Sequence, residues 1–127
     1  MKNYVANFTP DGKEIYVGSS KGVLSIWRVD ALEKAANPFP LPSTNAVRNL
    51  QFTRDGAMFL VSETGKIRVY NTRDGTLHRE FLDQVNRTQW RKCCFSSEGT
   101  YVLGATAEKG EQILYVWNKE TGQLVVP

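Results

Sequence analysis

Long apolar runs are missing from this 127-residue sequence: none approaches the roughly 20 residues that a membrane-spanning helix needs. Met1-Lys2-Asn3-Tyr4 leads into a strand-like pattern with no apolar leader behind it, so neither membrane partners nor secretion is expected. A cytosolic or nuclear setting follows. Histidine is nearly absent. His78 alone could serve a histidine-dependent triad, and its place on an outer strand favours an exposed or packed ring over a catalytic base. No Cys/His spacing suits zinc, and no glycine-rich loop joins a strand to a helix. Cofactor, metal and catalytic residues are therefore expected to be none. The only cysteines are Cys93 and Cys94, and strand neighbours point to opposite faces, so two reduced thiols are expected. Charge of one sign is also lacking. Sixteen basic against thirteen acidic residues leave +3, too little to imply nucleic-acid binding alone. The excess is local, however: seven bases stand against three acids between Lys66 and Lys92.

What the sequence does contain is a repeat. Phe8-Thr9-Pro10-Asp11-Gly12, Phe52-Thr53-Arg54-Asp55-Gly56 and Phe95-Ser96-Ser97-Glu98-Gly99 share one pattern of aromatic, hydroxyl, variable residue, acid and glycine, spaced 44 and 43 residues apart. The acid-glycine pair predicts a tight hairpin, because glycine tolerates positive φ and a short carboxylate can bond the turn backbone. A β-rich run follows each, then a glycine turn at Gly22, Gly65 or Gly110, then Leu24-Ser25-Ile26-Trp27, Ile67-Arg68-Val69-Tyr70 or Leu114-Tyr115-Val116-Trp117. Both alternating faces of these second runs are substantially apolar, which requires a sheet packed on each side. Stacked four-stranded blades supply that environment at a period of about 40 to 45 residues.

Each unit resembles the WD40 repeat family across nearly the whole chain. The repeats depart from its pattern: Arg28, Asn71 and Asn118 stand where the family usually has Asp after the closing aromatic, and its Gly-His pair is missing. The resemblance implies an all-β fold of three four-stranded antiparallel blades, a partial β-propeller. Blade 1 is placed at about 1–46, blade 2 at 47–89 and blade 3 at 90–127. First strands are expected near Tyr4–Phe8, Val47–Phe52 and Trp90–Phe95, and outer strands at Thr76–Phe81 and Gln123–Val126. In blade 1, Asp30–Thr44 is expected to replace the outer strand, with a short helical turn over Ala31–Ala36 and a proline-rich insertion at 37–42 on the rim or face. Phe8, Phe52, Phe95, Trp27, Tyr70 and Trp117 are the expected core, with Leu24, Ile26, Ile67, Val69, Leu114 and Val116.

A closer resemblance rests on Asp83-Gln84-Val85-Asn86-Arg87-Thr88-Gln89-Trp90-Arg91-Lys92-Cys93-Cys94-Phe95-Ser96. This stretch, with Ile67–Tyr70 and Leu114–Lys119, is similar to the retinoblastoma-binding-protein-five (Swd-one type) subunit of COMPASS histone lysine methyltransferase complexes. That resemblance implies a non-catalytic nuclear scaffold that binds protein partners of the methyltransferase and nucleosomal DNA. It implies Arg73 and Arg87 as loop arginines facing phosphates, for which the planar guanidinium fork is suited. Without it, both read as solvated turn residues. The alternative is an orphan or truncated propeller piece that self-associates or docks peptides without a chromatin role. Three blades leave two open faces. A homodimer closing a six-bladed ring would cover them, and would bury Trp27 and Trp117 only on assembly.

Overall fold

The computed structural model describes residues 5–31, 33–34, 39, 41, 46–63, 65–82, 90, 92–108 and 111–126. Twelve strands form three sheets of four in chain order: β1 (Val5–Phe8), β2 (Glu14–Gly18), β3 (Leu24–Arg28) and β4 (Glu33–Lys34); β5 (Asn49–Phe52), β6 (Met58–Glu63), β7 (Lys66–Asn71) and β8 (Leu77–Phe81); β9 (Lys92–Phe95), β10 (Tyr101–Glu108), β11 (Glu111–Asn118) and β12 (Leu124–Val126). Every pairing is antiparallel. The fold is the all-β partial propeller that the repeat implies.

The acid-glycine turns close as their chemistry dictates. Gly12, Gly56 and Gly99 sit at φ of 74°, 75° and 77°, and each N–H donates to the carbonyl three residues back. The Asp11 carboxylate accepts from the Thr9 hydroxyl at 2.6 Å and the Lys13 N–H at 2.9 Å. Asp55 repeats this with Thr53 and the Ala57 N–H. In the third turn Ser96 Oγ accepts from the Tyr101 N–H at 3.0 Å, without a matching carboxylate bond from Glu98.

Two apolar seams hold the blades together. Between blades 1 and 2 lie Tyr16, Leu24, Phe52, Phe59 and Tyr70; between blades 2 and 3 lie Leu60, Ile67, Phe81, Phe95 and Trp117. β6 feeds both, Phe59 and Val61 to the first and Leu60 to the second, because a strand alternates its side chains. At the centre the first strands are tied across each seam: Asn7 Nδ2 donates to the Leu50 carbonyl at 3.2 Å, and Gln51 Oε1 accepts from the Phe95 N–H at 2.7 Å.

Blade 1 corrects the expected insertion. Glu33 and Lys34 pair with β3 as a short outer strand rather than a helical turn. Phe39 then forms an antiparallel bridge to Leu24, its N–H donating to the Leu24 carbonyl at 2.8 Å. Flanked by two prolines that lack a donor, it supplies the one amide of that tripeptide. The place is that of Phe81, which pairs with Ile67 in blade 2. Phe39 packs at 5.1 Å from Tyr70 as Phe81 packs at 5.5 Å from Trp117, so part of the proline-rich segment completes a seam.

Three core expectations also need correction. Phe8 is 56% exposed, Trp27 38% and Leu114 47%, because they stand on the outward faces of blades 1 and 3, where no neighbouring blade covers them. Trp117 is buried within the single chain, since it faces blade 2.

Candidate nucleic-acid interface

The propeller segment has two ends. The lower end carries the turns joining first to second and third to fourth strands. The upper end carries the second-to-third turns and the crossings between blades.

At the upper end the described cations are Lys21, Arg48, Lys66 and Lys92, drawn from all three blades. Lys21 lies in the turn between β2 and β3. Arg48 and Lys92 stand at the entries to β5 and β9, and Lys66 opens β7. Local bonds fix the backbone beneath them: the Val47 N–H donates to the Ser19 carbonyl at 3.0 Å and the Arg48 N–H to the Ser62 carbonyl at 2.8 Å. Among the described residues none of the four charged heads forms an ion pair. Of the acids there, Glu108 ends β10 and Glu111 opens β11, while Glu63 is buried and paired with Arg68, which also donates from Nε to Glu80 at 2.8 Å. Burial alone would depress the Arg68 pKa, but the hydrogen bond to Glu80 and the charge of Glu63 outweigh it and hold the guanidinium charged. This triad is committed internally, so it neither adds to nor competes for the surface cations.

At the lower end opposite charges intermingle. A cleft of about 430 Å³ between blades 2 and 3 is lined by Arg54 and Lys119 but also by Asp55 and Glu98. Arg73 is exposed here, in the turn that Asn71 and Gly75 close, next to Asp74. Asp74 is held below its usual carboxylate pKa by the hydroxyl and then the N–H of Thr76. Arg87 lies outside the described residues.

Sequence reasoning missed Arg48. Counting back from the repeated aromatics would have found it, because Arg48 precedes Phe52 by the same four residues that separate Arg91 from Phe95. It also missed the second use of asparagine. Asn118 Oδ1 accepts from the Glu120 and Thr121 N–H groups at 2.9 and 3.0 Å, and Asn71 Nδ2 donates to Thr76 Oγ1 at 3.0 Å. These residues close the third-to-fourth-strand turns in place of the family's Asp. His78 sits at a bulge in β8, with Nε2 3.3 Å from Glu120 Oε2 across the seam. Among the described residues no three His, Cys, Asp or Glu side chains gather in a metal-binding group, and no helix is long and apolar enough to cross a membrane.

Three four-stranded blades in succession, latched at their first strands, define a segment of a WD-type β-propeller. The chain is 35% identical to the retinoblastoma-binding protein 5 homolog of Drosophila melanogaster over 97% of its own length and 27% of that relative's. It is 28% identical to the Set1 complex component swd1 of Schizosaccharomyces pombe, covering 95% of this chain and 31% of that one. The solved β-propeller domain of Cps50 (Swd1) from Myceliophteria thermophila superimposes with a TM-score of 0.83 at 27% identity, over 95% of this chain and 41% of that one. No family model matches the sequence. The chain is a WD40 protein like those of the retinoblastoma-binding protein 5 and Swd1 type, and it spans between a quarter and a third of the length of these two relatives.

Proposed function

We propose that this chain is a non-catalytic WD40 scaffold of a COMPASS-type histone methyltransferase complex, working in the nucleus by holding protein partners of the methyltransferase and nucleosomal DNA. The scaffold reading is supported by relatives named as Set1 and COMPASS components. The observation that carries the DNA part is the set of four cations at the upper end with no ion pair among the described residues. Such cations can neutralise phosphates and release counterions. The binding constant then falls with salt, by a log–log slope of about 0.9 per phosphate met.

Anisotropy of a labelled duplex, titrated with the chain between about 50 and 200 mM salt, tests this. Arg48→Ala, Lys92→Ala and Arg87→Ala should each flatten the slope by about one. Arg73→Ala probes the lower end, and flattening there instead would move the contact to that end. Binding that is absent or indifferent to salt would remove the DNA reading and leave protein docking.

A second reading is favoured by the exposure of Phe8, Trp27 and Leu114. It is a chain that docks peptides or associates with a second copy of itself, without a chromatin role. For the isolated chain we propose a homodimer.

A further inference from the structure

We infer that the lower-end cleft between blades 2 and 3 is a peptide-docking site, which takes an extended segment of a protein partner carrying an acidic and an apolar residue two positions apart. This rests on the scaffold reading above and adds where one partner docks and by what chemistry.

The cleft is open because the second seam lacks what fills the first. Between blades 1 and 2, Pro10 packs on the turn glycine of the next blade: a Cβ on Gly56 would stand 3.4 Å from Pro10 Cδ. One repeat further on, Arg54 takes the place of Pro10, and the atoms nearest a Cβ on Gly99 are Thr53 Cγ2 and Lys119 Nζ, at 3.6 and 3.7 Å. Arg54 itself is exposed and forms no ion pair among the described residues. Lys119 is the second change. It stands where blades 1 and 2 have Val29 and Thr72, and all three residues donate their N–H to the start of the second strand, at Lys13, Ala57 and Thr100. The hollow of about 430 Å³ beside Lys119 adjoins another of about 460 Å³, with Thr53, Arg54 and Ser97 in the walls of both. Pro10, Phe52 and Phe95 give the second hollow an apolar floor.

The two bases are what this seam adds, whereas the acids belong to the repeat, since each turn has one. Asp55 is committed to its turn, its Oδ1 taking both the Thr53 hydroxyl and the Ala57 N–H. Lys119 has only 13% of its side chain exposed, with its ammonium 5.9 Å from the centre of the Phe95 ring. The Glu120 carboxylate stands 3.7 Å from that ammonium, beyond hydrogen-bond reach, on a side chain 64% exposed. A carboxylate entering between Arg54 and Lys119 therefore gains two charge-assisted donors. Alternate residues of an extended chain share a face, so the residue two positions away reaches the apolar hollow. Glu98, exposed on the same wall and without a bond to its own turn, can accept a backbone N–H of the peptide. The same acids disfavour nucleic acid here. A phosphate chain carries its charges in unbroken succession and would meet Glu98 and Glu120 beside the two bases, while a single carboxylate needs only the bases.

An array of hexapeptides tests this, with every pair of residues placed at the third and fifth positions among glycines and serines and probed with the labelled chain. Anisotropy then measures the retained peptides in solution. The chain should retain peptides that pair Asp or Glu with Leu, Ile, Met or Phe. Their Asn or Gln counterparts should bind about tenfold more weakly, the worth of one charge-assisted hydrogen bond. Arg54→Ala and Lys119→Met should each weaken the acidic peptides by a similar factor, with circular dichroism checking that the blades persist. Arg54→Glu should turn the preference toward Lys or Arg in the acidic place, which a damaged fold would not do. Retention that ignores the acid, or that survives both Arg54→Ala and Lys119→Met, overturns this site and leaves peptide docking elsewhere on the chain. A blank array with folded wild type also overturns it. The scaffold reading is then decided separately, by whether the chain co-purifies with a COMPASS-type methyltransferase when the two are expressed together.

Discussion

Phe52 and Phe8 close the same strand in successive repeats, each beside a threonine-acid-glycine turn, yet the first is 9% exposed and the second 56%. Sequence and local geometry are nearly the same. The difference is the sheet on the other side. Blade 2 is covered twice, and its strands β6 and β7 are buried along most of their length on both faces. Blades 1 and 3 are each covered once. Burial here is a property of position in the stack, so the same side chain stabilises one blade and leaves another with an adhesive surface.

The largest test of this contrast is Phe59→Ala against Phe8→Ala. Phe59 is fully buried, its ring within 5.6 Å of those of Tyr16, Phe39, Phe52 and Tyr70. Its truncation should cost about 3 to 5 kcal/mol in chemical denaturation. The monomer carrying Phe8→Ala should lose less than about 1 kcal/mol, as an exposed position does. Equal losses would mean that the outer face of blade 1 is covered within a single chain.

Blade 2 also buries a charge cluster that its neighbours lack. Ser25 and Tyr115 occupy the place of Arg68 in blades 1 and 3. Removing Arg68 as Ala strands the buried Glu63, and should cost about 3 kcal/mol, whereas Ser25→Ala should be near neutral. Thermal and denaturant midpoints check both. Replacing Arg68 and Glu63 together by apolar residues should restore much of the loss, which separates the uncompensated charge from simple loss of volume.

The strand order, the turns and most of the seam residues were legible in the sequence because they rest on local rules: alternation, glycine at positive φ, and a period of about 43. Three things were not. Phe8, Trp27 and Leu114 carry the pattern of core residues, and no pattern within a repeat records whether another repeat is stacked on it. Phe39 was hidden because prolines on both sides argue against pairing, yet a single bridge on an outer edge needs one N–H and no more. The site was half legible. The basic excess between Lys66 and Lys92 was visible, but Arg48 lies outside it in the sequence and joins Lys66 and Lys92 only where the blades bring their upper ends together.

A smaller effect separates the first two turns from the third. Hydrogen bonds hold the Asp11 carboxyl, mainly through Thr9, and the Asp55 carboxyl, mainly through the Ala57 N–H, below the usual pKa of 3.8. A folded pKa below the unfolded one means that the folded state binds fewer protons. The stabilisation is therefore complete above about pH 4 to 5 and is lost as pH falls through the folded values. Asp55→Asn should flatten the acid limb of a plot of stability against pH, and Asp11→Asn should do the same. An unchanged limb in the first variant would show that the turn carboxylate does not sense folding.

The finest version of the comparison falls between two adjacent residues. Cys93 points into the covered seam between blades 2 and 3, where burial pushes its thiol pKa up to about 12. Cys94 points to the other side of the same strand, the open face of blade 3, and is half-buried. Burial thus keeps Cys93 as the thiol, and the thiolate is the form that attacks alkylating reagents. In the monomer, one equivalent of a maleimide should add promptly at Cys94, and a second only at the rate at which the blades separate. Two prompt equivalents would mean that the internal seam opens freely. If Cys94 slows as protein concentration rises while Cys93 stays unreactive throughout, the two thiols report the two kinds of seam separately, one fixed by chain continuity and the other by association.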